Sequence, residues 1–84
     1  MTEQIARSEK QLGSILRRQR KRANLTQTRL GEKLHLRQAT ISKLEDGAPA
    51  TQLRILMAAL SALELELVVR PRSKGSGDEI EELF

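Results

Sequence analysis

Between Thr26 and Gly47 the chain runs TQTRLGEKLHLRQATISKLEDG, two short stretches of helical period with almost nothing between them. Thr26 is a good N-cap, and Leu30 and Leu34 stand four apart, so the spacing predicts a helix from about Gln27 to Leu34. Ile41 and Leu44, three apart, predict another over about Gln38 to Asp46, closed by Gly47. His35 falls where the chain must turn sharply, and His accepts a left-handed backbone better than most non-glycine residues. Gly31 costs its helix about 1 kcal/mol relative to Ala, which points to a close contact at that position.

The flanks supply the rest of a small bundle. Ser8 and Gln11 have the form of a capping box, so a first helix begins there and ends near Asn24. Leu12, Ile15, Leu16 and Ala23 fall on its inner face, with Arg17, Arg18, Lys21 and Arg22 mostly outward. Pro49 breaks the chain, Thr51 offers a new cap, and Leu53, Leu56, Met57, Leu60 and Leu63 form the core stripe of a fourth helix. From Leu63 the period changes to two: Leu63, Leu65, Leu67 and Val69 alternate with Glu64, Glu66, Val68 and Arg70 up to Pro71. A frayed extension of the helix is the competing reading, since Leu and Glu are good helix formers. A lone strand leaves a row of backbone donors and acceptors unpaired, so it is expected to pair with a symmetry mate, as a two-stranded ribbon in a homodimer.

Composition narrows the function classes. A chain of 84 residues has a marginal core, which dimerisation would reinforce. It has no Cys and a single His, and no acidic cluster has calcium-loop spacing, so neither metal nor cofactor is expected. No serine sits in a nucleophile elbow and no Gly-rich loop could cradle a phosphate, so an enzyme is not expected. The net charge is +4. Bases dominate up to residue 46, whereas residues 78–84 carry Asp78, Glu79, Glu81 and Glu82 and no base. A basic body points to phosphate, and with one aromatic, Phe84, duplex DNA is favoured over stacked single strands or RNA. No apolar run has the length of a membrane span or signal peptide, so a cytoplasmic protein at the nucleoid is expected.

Two short helices joined by a tight turn and backed by a third element make a helix-turn-helix, whose second helix enters the major groove. Thr26, Gln27, Leu30, Gly31, Leu34, Leu36, Thr40, Ile41, Ser42, Glu45 and Gly47 follow in order the pattern of phage-repressor-like (Xre/Cro-type) domains, which the chain resembles. His35 stands where that family usually has glycine, and Arg37 where a Ser or Thr commonly caps the recognition helix. RQATIS, an Ala/Leu-rich helix and LELELVV together look like the HipB antitoxins, over residues 11–70. The resemblance implies a mainly α, phage-repressor-like bundle with one C-terminal β-strand pairing in a homodimer. The expected layout is an N-terminal arm (1–7), the helix-turn-helix domain (8–63), a dimerisation strand (64–71) and a disordered acidic tail (72–84).

The same resemblance implies residue roles. Arg37, Gln38, Ala39 and Ser42 would read base edges, with Thr40 beside them, and Gln27 would touch phosphate; by their charge or position Thr26, Lys43 and Arg17 would also touch the DNA backbone, a merely solvated face being the alternative for the basic side chains. Gln27 would brace Gln38, Arg20 and Glu45 would form a structural ion pair, and Leu65, Leu67 and Val69 would carry the dimer strand. The chemistry suits the readers: Gln38 can pair with adenine N6 and N7, Arg37 with guanine O6 and N7, and the methyl of Ala39 or Thr40 can meet that of thymine. The resemblance implies a HipA-type serine/threonine kinase toxin as partner and repression of the operon encoding both, while a dimer that presents two recognition helices to successive major grooves would bind an inverted-repeat operator. The acidic stretch with Leu83 and Phe84 could anchor such a toxin or merely solubilise the end. A stand-alone or phage-type regulator is the alternative, and an adaptor without DNA binding fits poorly with the polar set on the third helix.

Overall fold

The computed structural model describes residues 3–72. Four helices follow in order: α1 (Glu9–Arg22), α2 (Gln27–Leu34), α3 (Gln38–Glu45) and α4 (Leu53–Ala62). The first two start as their caps dictate. Ser8 Oγ accepts from Gln11 N–H at 3.1 Å, and Gln11 Oε1 reaches back to accept from Arg7 N–H at 2.6 Å. Thr26 Oγ1 accepts from Arg29 N–H at 3.0 Å. The starts of α3 and α4, at Arg37 and Gln52, carry no side-chain cap. Thr51, expected to cap α4, lies one residue early, because the first intrahelical bonds run from Ile55 and Leu56 N–H to Gln52 O.

All four helices end in one way. Asn24, His35, Gly47 and Glu64 have φ of 60°, 58°, 79° and 59°, each just past a helix. Around each, two backbone bonds close a Schellman motif; after α2 they run from His35 N–H to Glu32 O and from Leu36 N–H to Gly31 O. Such left-handed caps redirect the chain sharply, so that four residues join α1 to α2 and three join α2 to α3.

Leu16, Leu44, Ala59 and Leu60 form the core, flanked by Leu12, Leu34, Ile55, Leu56, Leu63 and Leu65. Leu30 and Ile41 are fully buried. Two expected core assignments are corrected. Ala23 is exposed, because it is the C-cap beyond the last turn of α1; Gln19 and Arg20 are buried in that turn. The α4 stripe divides: Leu60 is buried, Leu56 and Leu63 pack against the core, and Ala59 joins them unforeseen, but Leu53 is 67% exposed and Met57 46%, four apart on one edge of the helix.

Beyond Glu64 the chain leaves the helix, so a helical extension is not what forms. No strand occurs among the described residues. A strand is defined by a ladder to a neighbour, and within the one chain residues 66–72 make no backbone–backbone hydrogen bond with another described residue. Leu65 packs against the core, whereas Leu67 and Val69 are exposed. The expected tail contacts, Leu83 and Phe84, lie outside the described residues.

Candidate nucleic-acid interface

Helix α3 is fixed at one end and presented at the other. At its C-terminal end, α1 comes so close that a Cβ on Gly13 would stand 2.8 Å from Leu44 O. Gly47, just past the helix, lies against the start of α1, where a Cβ would sit 2.6 Å from Lys10 Cα. Further along α1, a buried ion pair adds to these backbone contacts. Arg20 Nε donates to Glu45 Oε2 at 2.6 Å and Arg20 Nη2 to Glu45 Oε1 at 3.0 Å. The two side chains are 8% and 2% exposed. Arg20 Nη1 donates to Leu25 O at 2.8 Å, so the guanidinium also holds the loop between α1 and α2. The fork geometry and full pairing offset the desolvation of both charges.

From this pair a chain of hydrogen bonds leads outward. Gln27 Nε2 donates to Glu45 Oε1 at 3.0 Å, and Gln27 Oε1 accepts from Gln38 Nε2. The structure thus brings Arg20 together with Glu45 and Gln27 together with Gln38, and adds the bond from Gln27 to Glu45 that sequence reasoning missed. Gln38, the first residue of α3, is exposed. Its Oε1 and second N–H make no bond with a described residue.

Around Gln38 the exposed surface holds Arg37, Ala39 and Lys43, while Thr40 and Ser42 are half-buried. Thr26 is exposed at the start of α2, its oxygen already accepting from Arg29 N–H. Arg17 is exposed on α1, and its neighbour Arg18 donates to Gln4 Oε1 of the N-terminal segment at 3.2 Å. Gly31 makes the close contact its helix cost signalled, but to the following turn: a Cβ there would meet Leu36 O at 2.6 Å. Gly13 gives the same signal within α1, and its close contact is to α3. The exposed N-terminal half of α3 is uncharged apart from Arg37 at its cap, with polar hydrogen-bonding groups beside an exposed guanidinium; such a set suits the edge of a base pair. No group of three or more metal-binding side chains occurs among the described residues, and no helix there is long and apolar enough to cross a membrane.

The family model for the helix-turn-helix domain matches residues 11–72. The chain belongs to that helix-turn-helix family, the class of DNA-binding domains that its short second and third helices and tight turn define. Among solved structures, a complex of a HipB variant with an O2 20mer shares 30% identity and a TM-score of 0.78, covering 86% of this chain and all of the other. A HipA-HipB-O2-O3 complex matches at 30% identity and a TM-score of 0.77, covering 84% of this chain and all of the other. No curated protein shows a significant match. Within its family the chain is HipB-like, a DNA-binding regulator.

Proposed function

We propose that the chain is a homodimeric repressor that places α3 of each copy in the major groove of an inverted-repeat operator, and that it serves as the antitoxin of a HipA-type kinase. The observation that carries the DNA reading is the tethered amide of Gln38. With one N–H held by Gln27, its Oε1 and remaining N–H are free to accept from adenine N6 and donate to N7. Because Gln27 is itself held by buried Glu45, the amide is oriented before DNA arrives, which lowers the ordering cost of binding. Arg37 lies beside it for guanine, Ala39 and Thr40 for a thymine methyl, and Ser42 one turn on. Thr26, Gln27, Lys43 and Arg17 supply backbone contacts that fix register without reading sequence.

Replacing Gln38 with alanine is expected to weaken operator binding by about 1–3 kcal/mol and to relax the preference at one base pair per half-site. Lys43→Ala should weaken all duplexes alike and lower the salt dependence by about one phosphate contact. Competition binding against single-base operator variants separates the two. Equal loss on every variant for Gln38→Ala removes that residue from base reading.

The dimer would join through Leu65, Leu67 and Val69, giving recognition helices about 34 Å apart on successive turns of DNA. A footprint over one half-site at saturating protein contradicts this. Support for the toxin partner comes from the likeness to a HipB found together with HipA. In this reading the acidic tail and its apolar end, Leu83 and Phe84, meet a basic groove on the kinase. Truncation after residue 72 should lower affinity for a co-expressed kinase from the neighbouring reading frame and leave operator affinity unchanged. If no kinase co-purifies with the full chain, the stand-alone regulator is the better reading.

A further inference from the structure

Four of the large apolar side chains that this chain leaves exposed, Ile5, Leu67, Val68 and Val69, line a single cleft. Its volume is about 560 Å³. One wall is the N-terminal segment Glu3–Ser8 and the other the extension Leu67–Arg72, with Leu12 and Ile15 of α1 also contributing. The walls are tied together where Arg70 Nη1 meets Glu3 Oε1 at 3.2 Å, and the N-terminal segment is further held by the bond from Arg18 to Gln4. Ile5 is 52% exposed and Val69 91%. Ile5, Leu67, Val68 and Val69 lie side by side here, so a single contact over the cleft would remove all four from water.

We infer that the cleft receives the extension of a second copy, so that the N-terminal arm, through Ile5, forms part of the dimer interface. The inference rests on the proposed dimer and adds to it a wall that the strand reading did not include. A second copy fits better than an unrelated partner for two reasons. The backbone of residues 66–72 has no partner among the described residues, and a strand of the same sequence satisfies it in both copies at once across a two-fold axis. The apolar residues that need cover, Leu67 to Val69, are also those that fill such a cleft, so symmetry uses each twice: the Ile5 side of either copy meets the extension of the other.

The test is sedimentation equilibrium of the full chain beside its variants Ile5→Glu, Ile5→Ala and Val69→Glu, with helix content followed by circular dichroism. Ile5 lies outside the bundle core and is half-exposed in the single chain, so its variants should keep the wild-type helix content. Ile5→Glu is expected to raise the dimer dissociation constant at least about tenfold, and Ile5→Ala to raise it less, since each dimer would lose two buried apolar groups. Val69→Glu should dissociate the dimer by itself. If Val69→Glu dissociates the protein and both Ile5 variants match the wild type, the arm is no part of the interface and the strand dimer stands. If the wild type is monomeric at high concentration, the dimer reading falls and this inference falls with it.

Discussion

Replacing Glu45 with alanine is expected to lower the unfolding free energy by about 3–5 kcal/mol, because it leaves the Arg20 guanidinium buried without its carboxylate. Folded domains hold about 0.05–0.15 kcal/mol per residue, so a chain of this size would lose a large share of its stability. The bond that Gln27 donates to Glu45 goes as well, and with it the orientation of Gln38. Urea unfolding followed by circular dichroism reads the first effect. Removing both charges, Arg20→Met with Glu45→Leu, should be milder than Glu45→Ala, since no buried charge is then stranded. An unfolding midpoint for Glu45→Ala equal to the wild type would reject the structural role of the pair.

Gly13→Ala should destabilise the fold by about 2 kcal/mol or more, against the direction helix propensity alone would give. Alanine in place of a helical glycine is favourable by about 1 kcal/mol. Here the added methyl meets the carbonyl of Leu44 and the carbonyl carbon of Glu45, each at 2.8 Å, and these are backbone atoms that cannot turn aside. Relief requires α1 and α3 to separate, the overpacking cost that a close-packed core does not absorb. Ser14→Ala, on the exposed side of the same helix, is the control and should change stability little. A Gly13→Ala protein as stable as that control would show that the two helices can part without penalty.

The bounds of α2 and the start of α1 were legible because their caps are spelled out in side chains: Ser8 with Gln11, and Thr26. The turn at His35 and the stop at Gly47 could be read from residue types that accept a left-handed backbone. Glu64 takes the same conformation with a residue type that gives no hint of it; tertiary packing of Leu65 onto the core decides the matter. Leu53 and Met57 looked like core because periodicity records which residues share a helical face and not how wide the buried stripe is. The N-terminal arm carried no periodic signal, so its contact with the extension through Glu3 and Arg70 became visible only in three dimensions. At the candidate interface, resemblance supplied the pairs Arg20 with Glu45 and Gln27 with Gln38. That the two pairs are one connected chain depends on where α2 sits against α3, which no linear spacing encodes.

That chain has a bearing on how such a protein can acquire new operators. If Gln38 reads a base as proposed, a change there also removes a ligand from Gln27, and a change at Gln27 removes one from Glu45, so altered recognition at this position is inherited together with altered stability. Arg37 and Ala39 stand outside the chain of bonds on exposed positions. Divergence among related regulators should therefore accumulate at those two residues first, with Gln27 and Gln38 replaced only as a pair.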